Sequence, residues 1–402
     1  MQSSYDVVIV GGGMVGGTLA CALGHTSLKV AVIETQLPAP FNSTQEHDLR
    51  VSALSIASEN ILKSINAWQG VLDRRECPYR RMKVWEASEE HAATLFDSLN
   101  LQYDHLGHIV ENRIIQLALI DQMKALDNVD LITPAKTKRI DYSSGSSIIE
   151  LEDGRQLVGR LLVAADGGES RVRQAVGIGV HKWDYEQQAL VASVVTAYPQ
   201  EDITWQQFTP TGPLAFLPLS GKRASLVWYN TPAEVKRLMR CSDDQFMSEL
   251  VNEFPEALGS IDSLLARGSF PLRRQHAQQY VKDGVALVGD AAHMIHPLAG
   301  QGVNIGLLDA AALAEVLINA VANGDDISTM AVLTQYEKQR RKHNLVMMQA
   351  MDLFYRMFSN DVLPLKLLRN VGLGVAGKAF PLKRKVMSFA MGLEGNLPTL
   401  AK

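Results

Sequence analysis

The sequence predicts a mixed α/β protein: a parallel-sheet domain, interrupted by an inserted antiparallel sheet and followed by C-terminal helices. Three observations predict it. A short apolar run, Asp6–Val10, enters a glycine turn and a helix-like stretch, and a second apolar run follows at Lys29–Ile33. Between about 181 and 272 the texture changes to strand-like pieces separated by Pro and Gly. After 284 the strand-plus-glycine pattern returns, and long helical stretches close the chain.

Each element follows in order. Strand, glycine turn, helix (Thr18–Leu23) and strand within about 30 residues make a βαβ unit, the opening of a Rossmann-like nucleotide-binding domain. Residues 113–126 read as a helix with Ile114, Leu117, Leu119 and Met123 as apolar positions, and 147–164 as two strands around Glu152-Asp153-Gly154. Leu190–Thr196, Thr204–Phe208, Ala215–Pro218 and Ser225–Tyr229 read as antiparallel strands, Val285–Val288 as a further strand, and 304–322 and 330–358 as helices. The expected division is 1–75, 105–180 and 273–345 for the discontinuous nucleotide-binding domain, 76–104 and 181–272 for a substrate domain, and 346–402 for a C-terminal helical region.

The bulk numbers exclude several classes. A length of 402 residues suits two joined domains and buries enough apolar surface to fold without disulfides. A net charge of -4 gives no basic footprint for nucleic acid. Cys21, Cys77 and Cys241 are widely separated and form no CxxC, so neither a disulfide framework nor a bound metal is expected. No charged segment followed by an apolar one opens the chain, and no run of about 18 uninterrupted apolar residues occurs. The expected location is cytoplasmic.

Three motifs carry chemistry. Gly11, Gly13 and Gly16 stand at GxGxxG spacing between a strand and a helix, where helix N–H groups bind a pyrophosphate. Glu34, at the end of the second strand, is placed to accept hydrogen bonds from a ribose diol. This motif serves FAD and NAD alike. The second motif is an apolar strand ending in Asp166-Gly167, with a Ser170-Arg171-Val172-Arg173 segment entering a helix. Taken alone it is also an ordinary β-turn with a Ser cap. The third is GVALVGDAAHMIHPLAGQGVN at 284–304: a strand delivers Asp290, and a glycine-rich loop enters a helix near Gly302-Val303-Asn304. Backbone N–H groups there suit an electron-rich ring edge.

In this order, the motifs resemble those of the flavoprotein aromatic hydroxylases of the para-hydroxybenzoate hydroxylase fold, over essentially the whole chain. The narrower resemblance is to the ubiquinone-biosynthesis hydroxylases, on RVSALS at 50–55, GPLAFLPL at 212–219, HPLAGQGVNIG at 296–306 and MDLFYRMFSN at 351–360. PYRRMKVWE at 78–86 and WQQFTPTGP at 205–213 narrow it to members acting on 2-polyprenyl-3-methyl-6-methoxy-1,4-benzoquinol. The resemblance implies FAD as cofactor, NAD(P)H and O2 as co-substrates, and ring hydroxylation through a flavin C4a-hydroperoxide. It implies that Glu34 binds the adenosine ribose and Asp290 the ribityl chain or pyrophosphate. Val303 and Asn304 would offer main-chain N–H groups to the flavin pyrimidine. Arg50, Pro297 and the loop glycines Gly300 and Gly302 would lie near the flavin, and Asp166 and Gly167 match a motif associated with both nucleotides. Gln116 stands where relatives often carry Arg.

No catalytic base stands out; His293 and His296 lie in the flavin loop, and His296 beside Pro297 is the residue to test. Phe216 and Tyr229, on expected sheet strands, are candidates for a substrate wall. The apolar and basic segment 346–392 is consistent with peripheral contact on the inner face of a membrane, and equally with packing on the domain or in a homo-oligomer or quinone-biosynthesis complex. Three competing readings are another ring hydroxylation of the same pathway, an FAD reductase of the same fold and a non-catalytic flavin-binding subunit of such a complex.

Overall fold

The computed structural model describes residues 2–86, 93–143, 145–199, 202–254, 260–295, 301–358, 384–385, 387–389 and 391–402. Its first sheet has at its centre five parallel strands, in the order Val285–Leu287, Gln156–Ala164, Gln2–Val10, Val30–Ile33 and Val129–Ile132. Val7, Val8, Ile9, Val30, Ala31 and Val32 are wholly buried. Both faces of these strands are covered, which is why they read as continuous apolar runs and not as alternating ones. The first helix, Met14–Ala22, starts four residues before the expected Thr18, directly at the glycine turn. It packs against Asn112–Lys124 and against the long helix Gln301–Asn323. Met330–Phe358 then packs along Gln301–Asn323. An antiparallel hairpin, Thr137–Ser143 and Ser146–Leu151, extends the sheet beside Gln156–Ala164.

The second sheet runs His293–Met294, Ile261–Ala277, Val180–Thr196, Arg223–Asn230, Gly212–Leu219, Ile203–Thr209, Arg81–Glu86 and Thr94–Asp97. Neighbours are antiparallel except Ile203–Thr209 with Arg81–Glu86. Two of its strands, Val180–Thr196 and Ile261–Ala277, are 17 residues each, much longer than the sequence suggests. Such strands span roughly 55 Å at about 3.3 Å per residue. They carry the sheet from the nucleotide-binding half to the outer edge of the molecule.

Side chains alternate between the faces of this sheet. Leu190, Ala192, Leu214, Phe216, Leu226 and Trp228 form one apolar layer with Val235, Leu238, Phe246 and Leu250. Those last four come from two helices, Pro232–Arg240 and Asp243–Glu253, which the sequence reading did not include. Thr231 and Ser242 cap them, the second through a full capping box with Gln245. The opposite face of the sheet is turned toward the nucleotide-binding half.

A third, small sheet joins Val51–Ser55, Gly107–Glu111 and Cys77–Tyr79. The helix Ile56–Ser64 follows at once, its N-terminus capped by the Ser55 side chain. Among the described residues, one helix, Gly302–Asn323, is long and apolar enough to cross a membrane. Most of it is buried against the rest of the chain, the pattern of a core helix.

Candidate active site

One cavity of about 930 Å³ lies between the parallel sheet and the inner face of the antiparallel one. Gly13, Met14 and Val15 from the first glycine turn line it. So do Ala165 and Gly167 from the second motif, and Val288, Asp290, Gly302 and Val303 from the third. Motifs separated by up to about 290 positions thus share one wall. Arg50 also lines it, its guanidinium 4.5 Å from the centre of the Phe270 ring.

The first turn is built by close backbone approach. Gly11 has φ +106, and a Cβ there would stand 2.3 Å from the Ala165 carbonyl oxygen. A Cβ on Gly16 would stand 1.9 Å from the Gly11 carbonyl oxygen. Both positions therefore exclude any side chain. No side chain caps the helix that begins at Met14, so its N–H groups remain directed at the turn. Around Gly13 a Cβ would meet nothing within 4 Å, which leaves room for a ligand against the backbone. The Gly12 N–H donates to Glu34 Oε2 at 2.7 Å, and Gln116 Nε2 donates to the Gly12 carbonyl at 3.2 Å. A pyrophosphate fits this cradle: free helix N–H groups, an open glycine surface and an acid at the neighbouring strand end.

Asp166 Oδ2 accepts from the main-chain N–H groups of Arg171 and Val172 and so holds the start of the Arg171–Ala175 helix. Its Oδ1 is buried without a hydrogen-bond partner. Asn304 does not turn its side chain to the cavity. Its Oδ1 accepts from Ser55 N and Ser58 Oγ, and its Nδ2 donates to the Ala53 carbonyl, tying the long helix to the Val51–Ser55 strand. Asp290 faces the cavity; the protein packed around it raises its carboxyl pKa, against the lowering pull of His293 and Arg50.

Phe216 requires a correction. It is wholly buried in the layer beneath the two outer helices, stacked on Trp205 at 5.6 Å between ring centres, while its neighbours Ala215 and Leu217 line the cavity. Register is the reason. Phe216 pairs with Leu226 and Ala215 with Val227, so only the odd-numbered residues of these two strands face inward. Tyr229 does face inward, beside Val227 and Leu272. Burial raises its phenol pKa, so it stays protonated at neutral pH. His296, Pro297 and Gly300 lie outside the described residues.

Sequence reasoning missed the residues that hold the Gly289–Asp290 turn. Arg173, buried, donates from Nη1 to the Ala291 carbonyl and from Nη2 to that of Gly168, both at 2.8 Å. Gln275 donates to the carbonyls of Gly168 and Asp290. Beneath the turn, wholly buried Asp309 accepts from the Gly289 N–H at 3.3 Å and pairs with His293 Nε2 at 2.5 Å. Its other oxygen accepts from Arg340 Nε at 2.8 Å and Asn344 Nδ2 at 3.0 Å. Burial raises the Asp309 pKa, but His293 and Arg340 outweigh it and hold the carboxyl well below the usual range. Asn344 Nδ2 and His276 Nε2 both meet the Tyr280 hydroxyl, at 3.3 and 3.1 Å. Arg173 stood in a quoted motif, but nothing in its sequence context marks it as the residue to be buried. Asp309, Arg340 and Asn344 sit in ordinary helical sequence and gave no signal.

The comparisons with known proteins agree with this geometry. An FAD binding domain family model matches residues 141–351. The chain is 45% identical to the 3-demethoxyubiquinol 3-hydroxylase of Escherichia coli K12, covering 96% of this chain and 98% of that one. It is 36% identical to the mitochondrial ubiquinone biosynthesis monooxygenase COQ6 of Rattus norvegicus, over 97% and 91% of the two chains. To the ubiquinone hydroxylase UbiL of Rhodospirillum rubrum it is 37% identical, over 96% and 89%. The crystal structure of the p-nitrophenol 4-monooxygenase PnpA of Pseudomonas putida superposes with a TM-score of 0.81 at 20% identity, over 99% of this chain and all of that one, and shows the shared fold. With motifs, cavity and relatives in agreement, the chain belongs to the FAD-dependent flavoprotein monooxygenases, in the group of the ubiquinone-biosynthesis hydroxylases.

Proposed function

We propose that this enzyme hydroxylates the ring of 2-polyprenyl-3-methyl-6-methoxy-1,4-benzoquinol, using NAD(P)H and O2. One observation carries the reading. The cavity that holds the three glycine motifs at one end continues into a predominantly apolar chamber walled by Met82, Val84, Phe96, Leu106 and Val227. A chamber of that chemistry suits a substituted ring with a hydrocarbon tail. The names of the E. coli, rat and R. rubrum relatives support the same substrate class.

FAD, when bound, supplies the electron transfer and oxygen chemistry of the hydroxylation. The chain's residues bind and orient. Gly11, Gly13 and Gly16 with the N–H groups of the first helix would hold the pyrophosphate. Glu34, which accepts from the Gly12 N–H, would hold the adenosine ribose. Gln116 steadies the same turn from behind. Asp290 and Arg50 approach the ribityl and flavin end, and Asp166 fixes the turn whose Gly167 lines the wall. The Asn304 side chain is spent on Ala53, Ser55 and Ser58, which supports a main-chain role for Val303 and Asn304 toward the flavin pyrimidine. Among the described residues no histidine lines the cavity. A quinol ring is already electron-rich, so the site's work is to place the ring and exclude water. Tyr229, a protonated phenol in the wall, is a hydrogen-bonding partner for a ring oxygen. A role at the flavin for His296, Pro297 and Gly300 is proposed on the sequence motif alone. The division into 1–75, 105–180 and 273–345 against 76–104 and 181–272 is proposed on the membership of the two large sheets.

The test is O2 uptake by the FAD-loaded enzyme with NAD(P)H and a short-chain analogue of the quinol. A product heavier by one oxygen atom, formed in step with O2 consumption, is expected. Substrate reduction without O2 consumption would instead establish the reductase reading. Peripheral membrane contact through 346–392 is a separate proposal, and residues 359–383, 386 and 390 of it lie outside the described ones. Flotation with anionic liposomes, with and without residues 360–402, decides it.

A further inference from the structure

Away from the cavity wall, on the far side of the Ile56–Ser64 helix, three residues direct ligand atoms at one point. Glu59 comes from that helix, His105 from the segment before Gly107–Glu111, and His108 from that strand. Glu59 Oε2 lies 2.6 Å from His105 Nε2 and 3.4 Å from His108 Nε2, and all three ligand atoms lie within 4.8 Å of one another. A tetrahedral Zn²⁺ with bonds of about 2.0–2.1 Å sets its ligand atoms about 3.3 Å apart. Closing this cluster onto an ion requires only small side-chain shifts. We propose that Glu59, His105 and His108 form a binding site for a divalent transition metal such as Zn²⁺.

The surroundings orient the three groups as metal ligands. Glu76 Oε2 sits 2.6 Å from His108 Nδ1, so His108 donates its Nδ1 proton there and turns the Nε2 lone pair toward Glu59. That arrangement of carboxylate, imidazole and metal is the usual way a histidine ligand is oriented. His108 is 6% exposed, and its Nε2 is buried without a hydrogen-bond partner. An Nε2 and a carboxylate oxygen 3.4 Å apart call for a positive charge between them, which a ring proton or a metal ion supplies. Trp68 meets the His108 ring edge-on at 4.9 Å, and Lys63 holds the other oxygen of Glu59 at 2.6 Å. Two of the ligands are thus fixed by neighbours. His105 is half-buried, which leaves a fourth position accessible to water, the pattern of three protein ligands and one open place. Occupancy would clamp the Ile56–Ser64 helix to the segment carrying Leu106. Leu106 lines the cavity, and Ser58 of that helix bonds Asn304, so the site stiffens the wall from behind.

The experiment uses the FAD-loaded full chain, stripped with a chelator and titrated with Zn²⁺ alone by calorimetry, with elemental analysis after gel filtration. One equivalent is expected, with a raised unfolding midpoint. His105→Gln, at the partly exposed ligand, should keep the metal-free midpoint while weakening binding at least tenfold. Glu76→Gln should weaken it by about 10–100-fold without abolishing it. Absence of stoichiometric binding by the native chain, or binding unchanged in both variants, would overturn the proposal and leave a proton-bridged ion-pair cluster.

Discussion

Two glycine turns face the same cavity and are held by different means. The Gly11–Gly16 turn is fixed by its own backbone: close approach to Ala165, an N–H from Gly11 to Ile33 O at 2.9 Å, and few side-chain ties. The Gly289–Asp290 turn is fixed from outside, by Arg173, Gln275 and the buried Asp309 cluster. Local construction survives loss of distant contacts but tolerates no added atom at its glycines. Remote construction tolerates local change but fails when a buried partner is removed.

The largest expected effect breaks the first turn. Gly16→Ala places a Cβ 1.9 Å from a main-chain oxygen that no rotamer can relieve, so the turn opens and FAD retention is lost. Purification of this variant without flavin colour, and without recovery on adding FAD, is the expected outcome. Retained yellow protein would mean that the turn yields more than its geometry allows. Next comes Asp309→Asn, which leaves Arg340 and His293 without their shared anion in the core. Removing one partner of a buried ion pair costs about 3–5 kcal/mol. Denaturant unfolding should show that loss together with weaker FAD binding. A stability loss with unchanged FAD affinity would separate the cluster from the flavin turn.

The contrast also carries a pH dependence. Burial, then the neighbouring His293 and Arg341, lower the His276 pKa to about 4. A histidine kept neutral in the folded state binds fewer protons there than in the unfolded chain at pH values between its two pKa values. Stability from this group is therefore complete above about pH 6.5 and is lost as the pH falls toward 4. Between pH 7 and 5 the loss from His276 is about 2 kcal/mol. His276→Gln should flatten the fall in the unfolding midpoint over that interval, and an equal fall in both proteins would place the titration elsewhere.

The same contrast explains what the sequence made legible. The first turn could be read because its recognisable parts lie within residues 6–34: strand, glycine spacing, helix and terminal acid. Four of the five parallel strands could be read because strands covered on both faces leave apolar runs, while Val129–Ile132, interrupted by the exposed Asp130, gave no such run. Phe216 and Tyr229 could not be sorted, because the face a strand residue takes depends on pairing with another strand, and one step of register exchanges the faces. Asp309, Arg340 and Asn344 stayed hidden for a related reason. Their partner, the turn at Gly289, is 20 to 55 positions away, and nothing in helical periodicity marks a polar residue that is to be buried. His105 and His108 belong to the same class, since their third partner, Glu59, lies on a different element.

Gln116 gives the smallest and sharpest test, because with Glu34 it is one of two side-chain ties on the Gly12 backbone of a turn that backbone geometry otherwise builds. Its amide donates one hydrogen bond, at 3.2 Å, to the Gly12 carbonyl. A single neutral hydrogen bond contributes about 0.5–1.5 kcal/mol. If the turn is self-sufficient, Gln116→Leu should weaken FAD binding by no more than about tenfold, since 1.4 kcal/mol is a factor of 10. Gln116→Arg should bind FAD at least as tightly as the native chain, its guanidinium adding a charge beside the pyrophosphate cradle. A loss of FAD comparable to that in Gly16→Ala would show that the first turn, too, depends on a remote side chain, and the distinction between the two turns would fall.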